Sequence, residues 1–309
     1  MAVTFFFVLG GFSMTIGYKD RLLKPEFSYK QFIIRRCIRF YPLHWLGLLL
    51  ALPMALSSFN IPSFFLNALL LQTWVPIKSI YFSFNQVSWY LADTMFFAVV
   101  FPLLCKWIVK ASARGKSLIA LSFVLFYALV AMLLPSDLFH AVLYISPYMR
   151  LVDFVFGIYL ALCYLKMKDS SVRVELSNVV SFLIIAVTIS LLVVESCVFE
   201  GARIFSVIYW PLVAVLILVA SLGGGRFWEY KCLQRLGELS FIIFMIHQLV
   251  IGYTKFIFGK ILHLDNIYIF VLFSLVITLV LSVVVERMFL KPITQWLTKE
   301  IQPSLTARS

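Results

Sequence analysis

Arg35, Arg36 and Arg39 fall within five consecutive positions of the run Phe32-Ile33-Ile34-Arg35-Arg36-Cys37-Ile38-Arg39-Phe40-Tyr41-Pro42, at the mouth of an apolar stretch. A guanidinium fork matches phosphate oxygens two at a time, so this cluster could hold the phosphates of a nucleotide-bearing acyl donor such as coenzyme A. Arg36 and Arg39, three positions apart, would share a helix face. The competing reading makes all three simple anchors that keep this end of the helix on the cytoplasmic side.

Ionisable groups within apolar stretches are costly and usually face a bundle interior or a wet cavity. His247 is the deepest: it follows Arg235 by twelve residues, about 18 Å along a helix and hence near mid-bilayer. It could act as a general base on a reacting hydroxyl, or it could be a packing histidine bonded to a neighbouring carbonyl. Asp93, four residues after Trp89, could accept from a substrate hydroxyl or bond to Arg150. Arg150 and Asp153, three apart on one helix, read first as an internal pair. His44 lies just inside the membrane beside the arginines, and Glu286 with Arg287 closes the last apolar stretch. For both, an interfacial structural role is favoured over chemistry.

The elements that must carry these residues are membrane helices. Of the 309 residues 62% are hydrophobic and 13% charged, against about 25% charged in a soluble domain. Apolar stretches able to cross about 30 Å of hydrocarbon recur at 3–18, 41–58, 89–109, 117–134, 149–166, 178–195, 204–222, 239–257 and 267–286. This pattern predicts an all-α integral membrane protein, a single bundle of about nine transmembrane helices over 1–309. The segment 59–87 contains a semi-apolar piece, Phe64 to Pro76, too short and too broken to cross, which is expected to lie at the interface or to re-enter. Cys37, Cys105, Cys163, Cys197 and Cys232 show no paired or metal-ligand spacing, so neither a disulfide framework nor a metal site is expected.

The net charge of +12 raises the question of nucleic acid, but the basic residues sit in short loops and form no continuous face. They sort by side instead. The loops within 19–39, 106–116, 166–173, 226–235 and 287–308 hold 21 of the 26 Lys and Arg, and the alternate loops hold only Lys78, Arg150, Arg203, Lys255 and Lys260. The positive side is the cytoplasmic one, which puts the C-terminus there in a multi-pass protein of the cell membrane. The first residues open into an apolar run with no basic leader and no cleavage site, as in a retained helix. Nine crossings would leave Met1 outside, and one further helix upstream would return the N-terminus to the cytoplasm.

Six pieces, in order, resemble the acyltransferase 3 family of membrane acyltransferases that O-acylate surface glycans. Phe6-Phe7-Val8-Leu9-Gly10-Gly11-Phe12 is similar to the family's FFxxSGF, with Gly10 in place of serine. Phe32 to Pro42 resembles FxxRRxxRIYP. Ser88-Trp89-Tyr90-Leu91, followed by Met95-Phe96-Phe97 and Phe101-Pro102, resembles WSLSVExxFYxxFP, with Thr94 where the family has glutamate and Asp93 one position earlier. Arg150-Leu151-Val152-Asp153-Phe154 with Gly157 resembles RxxEFxxG, Leu236 to Phe241 with His247 resembles LGxxSYxxYLxH, and Val285-Glu286-Arg287 resembles the closing VExP. Each piece alone is weakly diagnostic; six in the correct order are specific.

The resemblance implies ten helices, the first bearing an arginine and the histidine usually taken as catalytic. Nothing upstream of Phe5 supplies either, so an N-terminally incomplete chain is expected, by start-site assignment or truncation. The implied reaction moves an acyl group, most simply acetyl, from acyl-CoA (acetyl-CoA) to a hydroxyl of a cell-surface polysaccharide or lipid-linked sugar. Arg35, Arg36 and Arg39 would hold the donor; His247, Asp93 and His44 are the candidates for catalysis; Trp89, Arg150, Asp153 and Glu286 would meet the acceptor. The expected partners are acyl-CoA, the glycan acceptor and membrane lipids, with no nucleic acid, no metal and no tightly bound cofactor. The alternatives are a transporter or flippase of lipid-linked sugars, in which Asp93, Arg150 and His247 line a pathway, or an inactive fragment. The paired halves frequent in transporters are not visible here.

Overall fold

A computed structural model describes residues 2–169, 178–198, 205–222, 230–263 and 266–306. Each of the nine predicted stretches is helical within these bounds, and no strand occurs among the described residues. Among the described residues, six helices are long and apolar enough to cross a membrane. Residue 204, the predicted start of the seventh stretch, lies outside the described residues, as do Arg173, Arg203, Arg226 and Arg308 of the charge count.

The chain divides into two compact units: Met1–Phe27 with Phe96–Lys231, and Ser28–Met95 with Cys232–Ser309. The first contains α1 (Ala2–Leu22), most of α5 (Ser88–Lys110), α6 (Ala113–Leu133), α7 (Pro147–Asp169), α8 (Asn178–Val198) and α9 (Trp210–Ser221). Here α1 and α7 meet backbone to backbone. A Cβ on Gly11 would fall 2.0 Å from the carbonyl oxygen of Phe154, and one on Gly157 would fall 2.0 Å from that of Val8. Both motif glycines are therefore contact residues, in the manner of membrane helices that associate through small side chains. Around the crossing, Val8, Phe12, Leu160, Tyr209, Val213 and Ile217 form a core from α1, α7, α9 and the turn before α9.

The second unit contains α2 (Tyr29–Ala55), α3 (Ile61–Ala68), α4 (Lys78–Tyr81), the first turns of α5, α10 (Lys231–Phe256), α11 (Ile267–Val285) and α12 (Lys291–Thr306). Phe40, Leu43, Leu91, Met95, Leu239 and Met245 join α2, α5 and α10 in its core. Helix α11 turns the usual pattern inside out. Its buried positions are Ser274, Thr278 and Ser282, a polar stripe at four-residue spacing, while Tyr268, Leu272 and Leu275 are exposed. A helix that is apolar outward and small and polar inward suits hydrocarbon outside and close packing inside. The stripe continues to Glu286, in the π-helical turn Glu286–Leu290 that joins α11 to α12.

Two helix starts and one connecting segment differ most from the predicted ones. Helix α2 begins at Tyr29, twelve residues before 41, so the arginines are part of the helix and not of a preceding loop. Ser28 caps it by accepting from the backbone N–H of Gln31. Helix α10 begins at Lys231 instead of 239. The segment 59–87 is no plain loop. Asn60 caps α3 through the N–H of Ser63, and the chain folds back along α2.

Candidate functional site

In the second unit, α2, α10, the π-helical turn and α12 enclose a cavity of about 580 Å³. Its α2 wall carries Arg35 and Arg39, four residues apart, which is one helical turn. Arg36 is not on this wall: its guanidinium lies 5.0 Å from the centre of the Phe32 ring. Arg36 and Arg39 are three apart in the same helix, as expected, but it is Arg35 that lines the cavity with Arg39. A three-residue step and a four-residue step both lie near one turn, and the direction of the cavity chooses between them.

Glu286 also lines the cavity, but its carboxylate is already engaged. Arg235 grips it with both guanidinium nitrogens, Nη1 donating to Oε1 at 2.9 Å and Nη2 donating to Oε2. The same Nη1 donates to Oε2 of Glu238 at 2.9 Å, and Lys291 Nζ lies 3.4 Å from Glu286 Oε1. Both carboxylates at the cavity are therefore compensated by Arg235 and Lys291. Arg35 and Arg39, both exposed, form no ion pair among the described residues. In the sequence Arg235 marks the depth of His247 and counts, with Lys291, among the basic residues that orient the chain, but neither stands out as a site residue. The usable signals were the three-residue step from Arg235 to Glu238 and the four-residue polar stripe leading to Glu286.

His44 is fully buried, and its role is visible in its neighbours. Its Nε2 is 2.8 Å from the carbonyl oxygen of Asn67; Trp45 Nε1 donates to Ala68 O at 3.1 Å, and the Tyr41 hydroxyl donates to Leu69 O at 3.2 Å. Three consecutive carbonyls at the end of α3 are thus satisfied by side chains of α2. The last carbonyls of any helix need such partners, above all where water is scarce. A carbonyl partner fixes the proton of His44 on Nε2.

His247 stands half-buried in α10 with Nδ1 2.7 Å from the carbonyl of Phe244 in its own helix. Bonding to a carbonyl was one of its two expected roles. That bond puts a proton on Nδ1, so that in the neutral ring Nε2 is the lone-pair acceptor. The rings of His247, Phe244 and Tyr90 follow one another at centroid separations of 5.8 and 5.0 Å. Trp89 and Asp93 are buried in the first two turns of α5, in the same unit. Thr94, at the family's glutamate position, bonds its hydroxyl back to Tyr90 O.

Arg150 and Asp153 belong to the first unit and are both fully buried. Nη1 of Arg150 is 2.9 Å from Oδ2 of Asp153, and Nη2 donates to Thr4 Oγ1 at 3.0 Å. Trp210 Nε1 donates to the other carboxylate oxygen at 2.7 Å. The guanidinium is held between the rings of Phe7 and Tyr144, 5.1 and 5.4 Å away. This is the internal pair that the spacing predicted, now with its enclosure.

A family model described as an acyltransferase domain matches residues 1–287. The chain is also 27% identical over 281 residues to acyltransferase MdmB of Streptomyces mycarofaciens, an alignment covering 84% of this chain and 70% of that protein. No solved structure matches it.

Proposed function

The chain belongs to the acyltransferase 3 family, and from that premise we propose that this membrane acyltransferase takes its acyl group, most simply acetyl, from acyl-CoA and places it on a hydroxyl of a cell-surface polysaccharide or lipid-linked sugar. The observation that carries this reading is the pair Arg35 and Arg39 on one wall of the cavity, with both nearby carboxylates already occupied by other cations. Uncompensated guanidiniums in a concave site recruit a polyanion, and the phosphates of coenzyme A supply one. Apolar side chains of Ile34, Ile38, Phe241, Ile242 and Leu290 line the rest and suit the pantetheine arm. The donor approaches from the cytoplasmic face, where most of the basic residues are retained.

His247 is the base in this reading. Its Nε2 lone pair takes the proton of the acceptor hydroxyl as the oxygen attacks the thioester carbonyl, and the thiolate of coenzyme A leaves. What favours His247 over His44 is access: His247 is half-buried, whereas His44 is sealed and occupied with the end of α3. Asp93 and Trp89 lie in the same unit, on the side of α5 that faces its core.

Membranes containing the protein, supplied with acetyl-CoA labelled in the acetyl group, are expected to incorporate label into glycan in a form released by mild base, as an ester is. Label remaining wholly soluble with a range of glycan and lipid-linked acceptors present would overturn the reading.

A further inference from the structure

The fourth wall of the cavity is α12, and it lies beyond the residues matched by the family model, which end at 287. Lys291, Thr294, Thr298 and Ile301 face the cavity at successive steps of three, four and three, a single helix face. Lys291 is the residue of interest for charge. Its carboxylate neighbour Glu286 is already gripped by both nitrogens of Arg235, and the Lys291 side chain is 58% exposed. Around the cavity four cations, Arg35, Arg39, Arg235 and Lys291, stand against two carboxylates, Glu238 and Glu286. Arg235 shares its one positive charge between both carboxylates, so Lys291 supplies the second balancing charge, and without α12 the positive excess at the cavity would be smaller by one.

The two threonines add a second, independent chemistry. Thr294 Oγ1 donates to Leu290 O at 2.7 Å and Thr298 Oγ1 donates to Thr294 O at 2.7 Å. With each hydroxyl hydrogen used inside the helix, what the oxygens present to the cavity is lone pairs. They match ligand N–H groups, which the amides of a pantetheine arm and the amine of adenine both carry.

We infer that α12 completes the donor site from outside the family's shared segment: Lys291 is a third cation toward the donor phosphates, and Thr294 and Thr298 accept hydrogen bonds from donor N–H groups. This rests on the reading of the cavity as the acyl-CoA site, and the experiment separates the two. Binding of coenzyme A to the full chain in detergent is measured by calorimetry at several salt concentrations. Lys291→Gln is expected to weaken binding about tenfold, the effect of one charged hydrogen bond, and to make it less dependent on salt; Lys291→Arg restores both. Thr294→Val with Thr298→Val is expected to weaken binding several-fold with the salt dependence unchanged. If Lys291→Gln and the threonine pair both stay within twofold of the parent while Arg39→Gln still weakens binding, α12 is no part of the site. If Arg39→Gln is also without effect, the donor reading of the cavity falls, and the role of α12 with it.

Discussion

The two units each place arginine where a membrane protein would ordinarily avoid it, and they do opposite things with it. In the first, Arg150 is sealed between two aromatic rings, with Asp153, Thr4 and Trp210 closing the enclosure. In the second, Arg35 and Arg39 line a cavity whose acidic residues are held by other cations. In the function proposed above, the same side chain is a strut in one place and a receptor in the other. The difference is made by the neighbours: Arg150 has a buried counter-charge beside it, whereas Arg35 and Arg39 stand at a concave surface without one among the described residues.

The largest expected effect tests the strut. Arg150→Met leaves the Asp153 carboxylate buried without its counter-charge, a loss of about 3 to 5 kcal/mol of stability, seen as early thermal inactivation in detergent. Adding Asp153→Leu to the same chain is expected to recover much of that loss, because an apolar pair of similar volume suits the site. If the double variant is instead stable but inactive, Arg150 and Asp153 do chemistry and the contrast between the units collapses.

Next comes the receptor. Arg35→Gln with Arg39→Gln is expected to raise the KM for acetyl-CoA about a hundredfold, tenfold for each charged contact removed, with no change in the thermal midpoint. A fall in stability to match that of Arg150→Met would make these arginines struts as well. The smallest effect is the sharpest discriminator. Arg36→Gln removes a cation of the same cluster but off the cavity wall, so donor KM should stay within about twofold; an effect larger than that of Arg39→Gln would put the wrong face of α2 toward the donor.

Much of this arrangement could be read from the sequence, because long apolar stretches and intramembrane charges are strong signals in a solvent that tolerates neither polar backbone nor stray charge. The nine stretches became helices, and the Arg150 and Asp153 spacing gave their pair. What escaped had a physical reason. The first turns of α2 emerge among polar side chains, so a scan for apolar runs starts late, although Ser28 and Gln31 mark the true start. Helix α12 is invisible to such a scan because only one of its faces meets the cavity. The Arg235 and Glu286 contact joins residues 51 positions apart, and single-sequence patterning has no reach over that distance. Gly10 replaces the family's serine at a place where only ordinary contact with the Phe154 ring is made, whereas Gly11 admits no side chain.

The carbonyl contacts at the end of α3 also bear on how this protein is made. Asn67, Ala68 and Leu69 hand their acceptors to Tyr41, His44 and Trp45, all on the helix synthesised just before. Asn67 O also accepts from the N–H of Leu70, but the other two carbonyls depend on α2 for these partners, so α3 is expected to dock onto a helix already formed. Three ring-bearing donors within one and a half turns of α2 thus precede, along the chain, the carbonyls they serve.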